Sequence, residues 1–380
     1  MLGNILFILS VFCSILSQHP LILETHMDEV LKLVWVLPFL YFLYKNPRYL
    51  LGGYLPVLSL FVIAFSLFCL MCEAFCWPRR YMGADCINIM ISFFVCMVSY
   101  AYWRQYGNQK SMNIICITIL AVGLLLSAYL YQNVFANYDI AARTYAFQAK
   151  NSMGQILLCI VVIVAVNYKP SRTSYRYLAL FLTLPLVYVI FIMKSRATLA
   201  GLFFVLLYAI FKAKDTRVRV GLFLVTLASV AYVMLNPEFY SVVVENILLG
   251  SRDASDVNSV SSGRVELIGE AVKTIPNNLA FGIGNSYLDC MPIAMVVQYG
   301  LVGSSIVFLY LFSVTRKIWQ LNVISPLHLT TFLLLVMFLI NALFEAYPPF
   351  GPGVKCFFLW MMMGFSFSVK NNHTLNRQNI

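Results

Sequence analysis

Charged side chains are scarce in this 380-residue chain: Asp, Glu, Lys and Arg make up 11% of it, against about 25% in average globular domains. Hydrophobic residues account for 61% and aromatic ones for 15%, which excludes a water-soluble fold. The period-two alternation of outer-membrane strands is also missing. The stretch from Leu327 to Leu343 is apolar on both parities, so a membrane barrel is excluded as well. Histidine is rare. His19, His26, His328 and His373 form no ligand spacing, nothing asks for a metal, and no cofactor is expected. No internal repeat, low-complexity tract or soluble domain interrupts the chain. The N-terminal 1–18 segment lacks a positively charged leader region and a small-residue cleavage site, so it is expected to be a first membrane span and not a removed signal.

What remains is a polytopic helical membrane protein. At about 20 apolar residues per crossing, the apolar runs predict spans near 3–18, 30–44, 51–71, 84–103, 112–131, 152–168, 177–193, 197–211, 218–235, 291–313, 327–344 and 354–369. The expectation is an all-α bundle of about twelve spans forming one integral membrane domain over 1–380. A large loop at 236–290 belongs to it. Most of the ten cysteines lie within apolar runs, where cysteine behaves as a small hydrophobe. Cys76 and Cys86 bracket a short polar loop and form a disulfide candidate.

Charge orients the bundle. One set of loops carries fifteen basic residues, Lys45, Arg48, Arg104, Lys110, Lys169, Arg172 and Arg176 among them, against the single acid Asp215. The other set carries eleven basic and fourteen acidic residues. By the positive-inside tendency the first set is cytoplasmic, and both termini with it. Two outer loops are then long, 132–151 and 236–290, and long loops without a domain of their own are usually functional.

Four arginines of the outer face single themselves out: Arg143, Arg196, Arg252 and Arg264. Arg196 follows Lys194 and Ser195 in a tight turn, where two cations at a membrane edge need an ion-pair partner or an anionic ligand. Arg143 is equally suited to snorkelling toward lipid headgroups. The segment from Ser262 and Gly263 to Lys273 reads as a short amphipathic helix with Val265, Ile268, Val272 and Ile275 on one face, Ser262 as its cap and Pro276 past its end. Unpaired N–H groups at its start and the Arg264 fork suit an anion, although such a helix can also simply lie on the lipid surface. After it come Asn277, Asn278 and the turn Phe281-Gly282-Ile283-Gly284-Asn285. No strand precedes this turn, so it is not a dinucleotide fingerprint. Asp289 then opens the next span as a general-base candidate, with a plain span-end charge as its alternative. Glu345, before Tyr347-Pro348-Pro349, has the same two readings.

With Ser195-Arg196-Ala197-Thr198-Leu199 opening a span, and Ser262-Gly263-Arg264 leading through a helix to the glycine turn, the chain resembles the bacterial O-antigen polymerase and ligase superfamily, most closely its Wzy-type polymerases. Those polymerases carry an arginine, ten residues and a glycine in the third and fifth outer loops. Here Arg143 is so spaced from Gly154, and Arg252 from Gly263. The ligases usually carry a His-Asn pair after the glycine turn; this chain has Asn285-Ser286-Tyr287-Leu288-Asp289.

The resemblance implies a metal-independent glycosyltransferase of the bacterial inner membrane that joins undecaprenyl-diphosphate-linked repeat units into O-antigen or a related polysaccharide at the periplasmic face. Its donor and acceptor are both lipid-linked glycans. A chain-length regulator and a flippase are possible partners, and nucleic acid is not. It assigns Arg196 and Arg264 to the diphosphate, with Ser195, Ser262, Gly263 and Asn285 beside them. Arg143 and Arg252 go to a second lipid diphosphate or glycan, and Asp289 to the base. An O-antigen ligase and a lipid-linked oligosaccharide flippase are the alternatives; a flippase is expected to carry charges in the bundle interior, and the predicted spans are almost uncharged at mid-length.

Overall fold

A computed structural model describes the chain except for residues 1, 77, 78, 82, 137–149, 213–215, 249–260, 262, 285, 287, 322–324, 347, 352 and 370–380. The described residues form helices and no strand. In order these are α1 (Leu2–Leu16), α2 (Pro20–Glu24), α3 (Asp28–Leu33), α4 (Val36–Lys45), α5 (Leu55–Phe75), α6 (Ala84–Tyr106), α7 (Gln109–Tyr129), α8 (Lys150–Asn167), α9 (Thr173–Leu182) and α10 (Leu184–Ile192). They continue with α11 (Arg196–Lys212), α12 (Thr216–Leu235), α13 (Pro237–Tyr240), α14 (Arg264–Thr274), α15 (Met291–Leu321), α16 (Pro326–Ala342) and α17 (Val354–Ser368).

Six helical stretches are long and apolar enough to cross a membrane: Leu55–Phe75, Asp85–Tyr106, Gln109–Val134, Lys150–Asn167, Thr173–Ile192 and Met291–Leu321. A seventh arises if Arg219–Leu235 and Pro237–Glu245, bent by 98° at Asn236, count as one span. The other expected segments fall on helices that are shorter, such as α1, α16 and α17, or broken, as at α3 and α4. Helix starts follow from local chemistry. Asn108 Oδ1 accepts the Ser111 N–H at 2.8 Å and Ser325 Oγ the His328 N–H at 3.4 Å, each replacing a bond that the first helical turn lacks.

The 15-residue α17 lies at the centre, with every residue buried, and packs chiefly along α6. Phe7, Tyr102 and Phe365 join α1, α6 and α17; the Phe7 and Tyr102 rings stack at 3.8 Å. Apolar side chains are also displayed outward, among them Leu60, Leu125, Phe181, Phe211 and Leu227, each more than half exposed. Surface of that kind suits lipid and not water.

Successive long helices run in alternating directions, so the bundle has two chemically distinct ends. At one, Arg104 Nη1 reaches the Ser368 carbonyl at 3.5 Å, Gln109 that of Asn167 at 2.9 Å and Asn113 that of Lys169 at 2.9 Å. At the other, the starts of α6, α8, α11, α15 and α17 meet the ends of α5 and α16. This second end carries the polar centre described next.

Candidate functional site

The polar end is organised by a broken helix. α15 is interrupted at Gly300, with φ 61° and ψ −169°, a conformation open to glycine. The turn after α14 lies along the break and uses the backbone groups that the kink releases. Ile283 and Gly284 N–H groups donate to the Val297 and Gln298 carbonyls at 2.9 Å each, and Leu301 and Val302 N–H groups donate to Leu279 and Ala280 at 2.8 and 3.2 Å. Backbone meets backbone here. A Cβ on Gly282 would lie 2.3 Å from the Gln298 oxygen, and one on Gly300 2.4 Å from Ala280. The glycines of Phe281-Gly282-Ile283-Gly284 therefore serve a main-chain splice. Arg79 Nη1 and the Tyr81 hydroxyl cap it by donating to the Gly282 carbonyl at 2.9 and 3.2 Å. Burial pushes the Tyr81 phenol pKa up while Arg79 beside it pulls it down.

The splice fixes the chain on either side. Before it, α14 starts at Gly263, whose φ of 77° is left-handed. The Val265 N–H is met at 3.3 Å by the hydroxyl of Ser261; the expected cap, Ser262, lies outside the described residues. None of the residues of α14 is buried, and Val265 and Val272 on its expected apolar face are exposed. After the splice comes Asp289. Its Oδ2 accepts Arg264 Nε at 3.2 Å and Nη2 at 3.1 Å, with both side chains about one quarter exposed. Two residues whose roles the sequence suggested separately are thus one ion pair, across 25 positions of chain.

A second, buried cluster adjoins it, because the Met291 N–H donates to the Glu345 carbonyl at 3.1 Å. The Glu345 carboxylate accepts Lys355 Nζ on one oxygen and Gln155 Nε2 on the other, the latter at 2.9 Å. Glu345, Lys355 and Gln155 are 8%, 3% and 0% exposed. One turn from Gln155 on α8, Asn151 Oδ1 accepts the Ser195 hydroxyl at 2.9 Å, and Ser195 also shares a 2.8 Å hydrogen bond with Thr198. Ser195 is therefore a buried strut joining α8 to α11. Lys194 beside it is buried with φ 52°, and Arg196 is half-buried at the start of α11. Gly154, separated from Arg143 by ten residues, lets α8 approach this strut: a Cβ there would lie 3.0 Å from Thr198 Oγ1.

Of the expected site residues, Arg196, Arg264, Ser195, Gly263 and Asp289 all fall at this end. Arg143, Arg252, Ser262 and Asn285 lie outside the described residues. The sequence assigned no site role to Lys355, Gln155, Asn151 or Thr198. Their signal was present, polar residues in the first turns of otherwise apolar helices, but it is shared by ordinary span ends. Cys76 and Cys86 are free thiols, and Cys86 Sγ instead lies 3.9 Å from Ser66 Oγ. Among the described residues, no three His, Cys, Asp or Glu side chains gather as metal ligands. In comparisons with known proteins, no family model matches this chain and no curated protein is similar to it.

Proposed function

We propose that the chain is a membrane glycosyltransferase that polymerises undecaprenyl-diphosphate-linked repeat units of O-antigen or a related surface polysaccharide. In this reading it crosses the bacterial inner membrane about twelve times, with both termini cytoplasmic and the polar end periplasmic. The observation that carries the proposal is the Arg264 fork at the start of α14, held by Asp289 beside a buried polar cluster. Supporting it, the basic connections with Lys45, Arg104, Lys110 and Lys169 gather at the opposite end, where the positive-inside tendency places the cytoplasm.

The reaction transfers a growing glycan from its diphosphate carrier to a hydroxyl of the incoming lipid-linked unit. Its difficulty is the negative charge that develops on the departing diphosphate. Arginine forks neutralise it bidentately; Arg264 is poised to exchange Asp289 for a phosphate, and Arg196 stands at the start of α11 at the same end of the bundle. Asp289 in this arrangement holds the guanidinium in place until the donor arrives.

The break at Gly300 favours a second reading, a lipid-linked oligosaccharide flippase, because broken spans recur in transporters. A strain lacking the gene separates the readings. For a polymerase, surface glycan resolved on a gel collapses from a ladder to core plus one repeat. Uncapped core with full-length polymer still on the carrier lipid marks a ligase. Repeat units accumulating on the cytoplasmic face mark a flippase.

A further inference from the structure

We infer that Glu345 accepts the proton from the attacking sugar hydroxyl, with Lys355 and Gln155 orienting its carboxylate; the inference rests on the polymerase reading and assigns the base within that site. A buried lysine–glutamate pair is expensive to desolvate and adds little net stability over an apolar pair. In a membrane bundle such groups mark function by default. Glu345 is joined through its own carbonyl to Met291, two residues after Asp289, so it is tied by its backbone to the segment whose Asp289 holds Arg264.

The surroundings also have unfilled hydrogen-bonding capacity. Gly201, Met337 and Leu158 meet where α8, α11 and α16 cross, since a Cβ on Gly201 would lie 2.7 Å from Met337 Cγ and 3.4 Å from Leu158 Cδ2. One turn toward the polar end bring Asn341 on α16 and Gln155 on α8 to the next level. Asn341 is 0% exposed, and neither its amide nitrogen nor its oxygen has a hydrogen-bond partner in the described structure; Gln155 Oε1 lacks one too. Buried amides left unmet are unfavourable. Hydroxyl groups of an acceptor sugar supply both the donors and the acceptors they need.

Asp289 already has the task of holding Arg264, whose Nε and Nη2 it accepts on Oδ2, the arginine given to the diphosphate. In the step at Glu345, the acceptor oxygen forms a bond to the anomeric carbon while its proton passes to the Glu345 carboxylate. The bond from that carbon to the phosphate oxygen breaks, and its electron pair leaves on undecaprenyl diphosphate beside Arg264. The Lys355 ammonium and the Gln155 amide keep the carboxylate aimed until transfer.

The test uses the full-length protein in liposomes with a synthetic polyprenyl-diphosphate-linked repeat unit, read as polymer on a gel. Glu345→Gln preserves shape and should lower kcat by about a hundredfold or more, in the range of a lost general base, with KM unchanged. The exchanged pair Glu345→Lys with Lys355→Glu keeps a buried ion pair but moves the carboxylate, and should be as inactive. If Glu345→Gln does not fold, Glu345→Asp replaces it and should lose kcat without KM. Full kcat in the single variant, a loss confined to KM, or activity restored by the exchanged pair overturns the inference while leaving the polymerase intact. Wild-type protein that makes no polymer from this donor removes the polymerase reading itself, and the base with it.

Discussion

The two ends of the bundle hold charge in opposite ways. At the basic end Lys45, Arg48, Lys110, Lys169, Arg172 and Arg176 are exposed, where water and lipid headgroups solvate them. At the polar end Lys194, Glu345 and Lys355 are buried, and Asp85 is too, taking a 3.0 Å hydrogen bond from Tyr299. Solvated charges orient a chain whatever their exact position, and their number matters more than their geometry. Buried charges have to be matched one by one, so their geometry matters more than their number. A topology signal and a chemical site are therefore written in the same residue types but read by different rules.

That contrast can be broken most severely at the ion pair. Lys355→Met leaves the Glu345 carboxylate buried without its cation and should destabilise the protein by about 3–5 kcal/mol, measured by thermal unfolding in detergent. Adding Glu345→Gln should recover most of the loss, since no charge then remains uncompensated. Failure of the double variant to recover would mean that the pair itself, and not the orphaned charge, holds α17.

Next in size is the splice. Gly300→Ala sets a Cβ against Ala280 at a positive φ with extended ψ, combining a steric cost of about 1–3 kcal/mol with about 1–3 for the backbone. Gly263→Ala meets only the second of these, because nothing lies within 4 Å of its Cβ, and should cost about 1–2 kcal/mol. Equal losses at the two glycines would show that the splice is not under steric constraint.

Arg264→Lys sharpens the comparison in function. Lysine keeps the charge but not the planar fork, so polymer formation should fall by about a hundredfold, the scale of a lost transition-state donor, with unfolding temperature unchanged. Full activity would exclude a bidentate role. At the basic end Lys169→Ala should change stability by less than about 0.5 kcal/mol.

Orientation is tested last, with a yes-or-no readout. Single cysteines replacing Glu270 or Lys169, both exposed, on a Cys76→Ser background should react oppositely with an impermeant thiol reagent in spheroplasts: Glu270→Cys before lysis, Lys169→Cys only after it. The reverse pattern would turn the bundle over and remove the proposed function.

Composition and the spacing of apolar runs determined, without any structure, that this chain is an all-helical membrane protein, and six of the twelve expected spans coincide with helices long and apolar enough to cross a membrane. They did so because transfer of apolar side chains out of water is local and additive. Arg264, Asp289, Arg196 and Ser195 were legible as unusual because polar residues at span edges stand out against so apolar a background. Tertiary structure alone decided their partners. Nothing in the spacing of Arg264 and Asp289, of Ser195 and Asn151, or of Gln155, Glu345 and Lys355 announces a contact, since these pairs form only when helices distant in sequence cross. The break at Gly300 was equally hidden: glycine permits a kink but does not impose one, and it is the backbone of the 279–284 turn that satisfies the released N–H and C=O groups and makes that kink the stable arrangement.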